Sequence, residues 1–166
     1  MAKAERRYWY TTFRMASYAN TFGALIWTAL MVLPFAPFSS VPPIMVAGGP
    51  GQWLVVAYLL FVTVGAGGFG WLSGLLHTIE VHEGRKADPS LMWPGFILLY
   101  FGVTSSCAML AAAGTLGGYA STVSAGPVTP LREVLSPYVY PITATVLVAV
   151  AGAFLALLAM IRARGP

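Results

Sequence analysis

The sequence predicts an all-α, polytopic membrane protein: a single domain of four transmembrane helices with both termini in the cytoplasm. Three observations carry this. The chain is 58% hydrophobic and only 8% charged, with a mean hydropathy of +0.76, whereas a soluble domain carries about 25% charged residues. Its apolar residues gather into runs long enough to cross about 30 Å of hydrocarbon, which takes about 20 residues of helix. Its basic residues sit beside those runs rather than within them.

The first span runs from about Met15 to Pro37 and the second from about Gln52 to His77. The third runs from Leu91 to Tyr119 and the fourth from Pro137 to Ile161, and no span carries a charge in its interior. The first is too long for a cleavable signal, and no A-x-A site follows it. Lys3, Arg6, Arg7 and Arg14 precede the first span, Arg85 and Lys86 join the second to the third, and Arg162 and Arg164 follow the fourth. After four crossings all of these fall on one side, and only Arg132 falls on the other. Because cytoplasmic flanks carry the excess of Lys and Arg, that side is assigned to the cytoplasm and the chain to the plasma membrane. The net charge of +4 and pI near 9.5 are thereby read as orientation signals, and nucleic acid is not an expected partner.

Between the first two spans, Phe38 to Gly51 has no charge and is punctuated by Pro and Gly, which marks a loop lying on headgroups or on another subunit. Asp88-Pro89-Ser90 reads as the start of the third span. Ser136-Pro137 reads as a cap followed by proline at the first helical position of the fourth, with Pro141 bending it soon after. Tyr8, Trp9, Tyr10, Trp53, Trp93, Tyr119, Tyr138 and Tyr140 cluster at span ends, the depth at which polar-tipped aromatics anchor. The functional alternative for them is a quinone or pigment site.

Lipid is as apolar as leucine, so helices associate through close packing and a few polar contacts. Gly67, Gly70 and Gly74 share one face of the second span, and Ala111, Gly114 and Gly118 share one face of the third. These stripes are expected to pack the two antiparallel neighbours together. The fourth span offers Ala149, Gly152, Ala153 and Ala156. Hydroxyls within the spans can bond back to their own helix, but the Asn20 amide calls for a bond to another helix. Cys107, the single cysteine, allows no intrachain disulfide.

One stretch stands apart. "SGLLHTIEVHEGRKADPS", Ser73 to Ser90, holds both histidines together with Glu80, Glu83 and Asp88. His77, Glu80, His82 and Glu83 are the candidate metal ligands, since imidazole and carboxylate suit zinc, iron or manganese. Two histidines five apart match no compact motif such as HExxH, and in an α-helix that spacing turns His82 away from His77. The favoured reading is therefore a helix leaving the bilayer. Gly84 ends it, and Arg85 and Lys86 meet lipid phosphates and the helix C-terminus. His77, nearest the membrane, is the best single candidate for a cofactor ligand.

Pumps and ion-coupled transporters need ionisable groups at depth, and a bis-histidine haem needs a ligand on each of two helices. The spans hold neither, so no residue is assigned a catalytic role and no cofactor bound by this chain alone is expected.

The stretch from Trp53 to Leu110 resembles small membrane proteins that accompany archaeal haem–copper oxidase subunit I, or fragments of that subunit. The features are a Gly-rich helix ending at His77, Ile79 and Glu80, the exit at Gly84 and Arg85, and a following helix with Gly95 and Gly102. The oxidase's own haem-ligating histidines at membrane depth are absent. The resemblance implies an accessory subunit of a terminal oxidase or related respiratory complex, with the bilayer and other membrane subunits as partners. The alternatives are a small haem- or quinone-binding electron-transfer protein using His77, and a transporter or channel formed by oligomerisation.

Overall fold

The computed structural model describes residues 8–33, 35–36, 38–46, 49–122 and 131–165. Lys3, Arg6 and Arg7 lie outside the described residues, as does the side chain of Arg132. Among the described residues there is no strand, and four helices are long and apolar enough to span a membrane.

Helix α1, Trp9–Val32, starts and ends earlier than its hydropathy implied. Leu33 is extended, with ψ of 127°, because the residue before a proline is pushed out of the helical region, here by Pro34. The apolar loop is anchored at one point. Its short helix α2, Val41–Val46, folds back so that Ile44, 3% exposed, covers the end of the third span.

The second span is continuous from Gly49 to His82. It comprises α3, Gln52–Leu60, then a wider turn at Phe61–Gly68, then α4, Phe69–His77, then a second wide stretch at Thr78–His82. Both wide stretches are π-helical, with i→i+5 bonding. Helix α5, Pro89–Thr122, opens as the sequence suggested: the Asp88 carboxylate accepts from the Ser90 backbone N–H at 3.0 Å and from its hydroxyl at 2.7 Å. The Ser90 hydroxyl and N–H hold the Asp88 carboxyl below the ordinary aspartate range.

Helix α6, Leu131–Ile161, corrects the expected start at Pro137. Ser136 is not a cap, because the helix runs through both Pro137 and Pro141. A proline in a helix removes one bond to the carbonyl four residues back. The two prolines are four apart, so the second gap falls on the first proline's own carbonyl and the two missing bonds are contiguous, from Glu133 to Pro141.

Each span packs on its successor in the chain, and the densest pairing is α5 on α6. The glycines explain it. A Cβ at Gly102 would collide with the Ala149 backbone, and one at Gly152 with that of Leu98 and Leu99. One at Gly95 would stand 2.8 Å from the Ala156 amide nitrogen. The small stripe of the fourth span is thus matched by Gly95 and Gly102 of the third.

The expected pairing of the other two stripes does not form. Gly114 lies against the backbone of Trp53 and Leu54, and Gly118 against Ile44 and Gly51. Gly70 faces Ser17 of α1. A Cβ at Gly67 would meet only its own span's Val62 carbonyl, and Gly74 has nothing within 4 Å. Ala111 is half-buried. The reason is depth: with Leu54 level with Gly114 in an antiparallel pair, Gly70 and Gly74 lie level with the opposite half of α5.

Gly102→Leu is therefore expected to lower the melting temperature in detergent, at the cost of about 1–3 kcal/mol typical of an overfilled site. Gly74→Leu, projecting into open space, should melt with the parent chain. Equal melting of the two variants would refute this assignment of the packing surfaces.

Candidate functional site: the polar end of the bundle

The N-terminus of α1, the loop between the second and third spans, and the C-terminus of α6 meet at one end of the molecule. Lys86 and Arg164 exchange two backbone hydrogen bonds of 2.8 and 3.0 Å, and the Asp88 N–H donates to the Ala159 carbonyl. Arg85 was expected to meet lipid phosphate and the end of its own helix. Its guanidinium donates to the Ala163 carbonyl at 2.8 and 3.2 Å, and to Glu83 at 3.0 Å. The last carbonyls of a helix lack partners inside it, and here the Asp88 N–H supplies one for Ala159 while Arg85 and Lys86 bind the chain just past the end of α6. The Arg85–Glu83 pair is itself exposed and contributes at most about 1 kcal/mol.

Gly84 ends the second span with φ of +67°, a conformation that favours glycine. Just before it, the Thr78–His82 stretch changes the histidine geometry. The α-helical reading turned His82 away from His77. With i→i+5 bonding, residues five apart stack on one face. The two imidazoles accordingly lie edge to face with centroids 5.4 Å apart. His77 also meets the Tyr10 ring at 4.9 Å, and the Arg14 guanidinium lies over that ring at 5.5 Å.

Glu80 takes a different course from the histidines. Helix α1 begins at Tyr8 without a side-chain cap. Its free N–H groups at Trp9 and Tyr10 donate to the two Glu80 carboxylate oxygens, each at 3.2 Å. Glu80 is only 8% exposed, so these bonds are what a buried carboxylate requires. Ser73 adds a bond to the Tyr10 carbonyl at 2.9 Å. Glu80 is thus a capping residue supplied from another helix, at the end where the helix dipole favours a negative charge. The sequence did carry a signal for this: "YWYTT" at the start of α1 has no Ser, Asp or Asn in front of it.

The four candidate ligands are consequently not gathered. The two histidines adjoin each other, Glu80 is bound to α1, and Glu83 is bound to Arg85. No three His, Cys, Asp or Glu side chains converge among the described residues. What this end can do chemically is offer cationic and N–H donor groups, from Arg14 and the imidazoles, beside an aromatic surface.

Glu80→Ala should leave two partly buried N–H groups without an acceptor, at no more than about 1–3 kcal/mol each. The expected outcome is a lower melting temperature, with faster amide exchange confined to the first turn of α1. Glu80→Gln, which keeps one acceptor, should fall between. Unchanged exchange at Trp9 and Tyr10 in Glu80→Ala would overturn the capping role.

Comparison of this chain with known protein families, characterised proteins and solved structures finds no match in any of the three.

Proposed function

We propose that this chain is a non-catalytic accessory subunit of a larger redox complex of the plasma membrane, in keeping with its resemblance to terminal-oxidase-associated proteins. The observation that carries the reading is how its interior polar groups are spent. Asn20 donates to the Gly65 carbonyl at 2.7 Å, Ser17 to the Ala66 carbonyl at 2.8 Å, and Ser106 meets Thr145 at 2.9 Å. Among the described residues no buried side-chain nitrogen or oxygen lacks a partner. The interior is thus committed to holding the bundle together. The outer faces are broad and apolar: Phe22, Leu25 and Ile26 on α1, and Leu147, Val150 and Phe154 on α6, are all exposed. Such faces suit lipid on one side and a larger apolar subunit on the other. The same reading places the polar end in the cytoplasm by the distribution of Lys and Arg.

Purification in mild detergent tests the function. The expected result is stoichiometric recovery of a membrane oxidoreductase with this chain, while the separated chain is colourless. Recovery of the chain alone would refute the accessory role, and a haem spectrum in the separated chain would replace it with the electron-transfer reading through His77.

Orientation has its own check. A cysteine at Lys86 should react with an impermeant thiol reagent only in inverted vesicles. One at Ser124, which lies outside the described residues, should react only in intact cells. The reverse pattern would invert the topology.

A further inference from the structure

A groove of about 340 Å³ runs between α1 and α4 at the polar end, lined by Tyr10, Arg14, Tyr18, Gly70, Gly74 and His77 among others. That volume lies within the range of small-molecule clefts, about 300–1,000 Å³. Along it stands a ladder of contacts: Arg14 over Tyr10, Tyr10 against His77, His77 against His82.

Among the described residues the charge of this ladder is not cancelled by an ion pair. Arg14 makes no ion pair among the described residues. The carboxylates nearest in the fold are already engaged, Glu80 by the Trp9 and Tyr10 N–H groups and Glu83 by Arg85. Arg14 is exposed and five residues into α1 from Trp9, about 8 Å along the helix axis at 1.5 Å per residue. An arginine at that depth keeps its aliphatic stem in the apolar zone and its head at the level of lipid phosphates.

The floor is the second observation. Gly74 is exposed and a Cβ there would meet nothing within 4 Å. An alanine there would meet no neighbour and would favour the helix, so close packing does not account for the glycine. Bare backbone beside a cation leaves room for an occupant with an anionic head and an apolar body.

We infer that this groove binds an anionic phospholipid of the surrounding leaflet. Its phosphate sits on the Arg14 guanidinium within reach of the His77 imidazole, and an acyl chain passes over Gly74 and Gly70. A lipid is chosen over a soluble phosphate because the groove lies along a membrane span and combines a cationic wall with a bare glycine floor. This inference stands apart from the identity of any partner subunit.

The test uses the full chain in neutral detergent, titrated with phosphatidylglycerol or with phosphatidylcholine. Bound lipid is read by native mass spectrometry and stabilisation by thermal melting. Phosphatidylglycerol is expected to bind saturably and raise the melting temperature, with phosphatidylcholine much weaker. Arg14→Gln should weaken phosphatidylglycerol binding about tenfold, the scale of one charge-assisted bond. Gly74→Leu should weaken it comparably while melting like the parent in detergent alone, which keeps the test valid if Arg14→Gln folds poorly. Equal binding of the two lipids, or full phosphatidylglycerol binding in Gly74→Leu, would overturn the proposal. So would equal stabilisation by glycerol 3-phosphate, which would make this a soluble-phosphate site, or by a phosphate-free quinone, which would make it a quinone site.

Discussion

Hydrocarbon offers no hydrogen bond to a backbone amide or carbonyl, and the irregular parts of this structure are arranged around that constraint. Where the second span widens at Phe61–Gly68, side chains from α1 reach its carbonyls: Asn20 to Gly65 and Ser17 to Ala66. Where α1 begins without a cap, Glu80 comes from the second span to take its free N–H groups. Where α6 ends, the Asp88 N–H takes its Ala159 carbonyl, and the Arg85 guanidinium and Lys86 N–H take the Ala163 and Arg164 carbonyls just beyond it. These bonds cross between elements distant in sequence, so satisfying the backbone and fixing the tertiary arrangement are one event.

Close packing supplies the rest. Interhelical hydrogen bonds in a bilayer contribute only about 0.6 kcal/mol each on average, so the Ser106–Thr145 bond cannot by itself hold α5 on α6. The small residues can. Gly95, Gly102 and Gly152 bring two backbones close enough for continuous contact along the paired helices. At the opposite end from the charged loop, Gly114, Gly117 and Gly118 let α3, Pro50 and Ile44 seat on α5 in the same way. An aromatic cluster of Phe13, Phe69, Phe96 and Tyr100 then joins α1, α4 and α5 nearer the polar end.

The asymmetry between the two ends bears on function. The end rich in Lys and Arg uses its acidic groups internally, Glu80 on a helix N-terminus, Glu83 on Arg85 and Asp88 on Ser90. Its cationic and imidazole groups stay at the edge, beside an open groove. Such an arrangement suits contact with negatively charged surroundings, as the lipid proposal requires, while the accessory role rests on the apolar outer faces of α1 and α6.

The number of spans, their approximate bounds and the polar character of the loop at Ser73–Ser90 were determined by the sequence itself. Hydropathy over about 20 residues is a local property, because each span must face lipid whatever its neighbours do. Asn20 was legible for a similar reason: an amide in a membrane helix has to find a partner on another helix. The tertiary structure alone decided which partners those groups meet. Gly70 and Gly74 share a face with Gly67 in any helix, but their depth relative to Gly114 depends on how two antiparallel helices slide. His82 was placed away from His77 by counting at 3.6 residues per turn. The π-helical register that reunites them is not encoded in that period. Glu80 carried the chemistry of a ligand in the sequence, and became a cap because the N–H groups of Trp9 and Tyr10, some seventy residues away, are brought beside it only when the bundle closes.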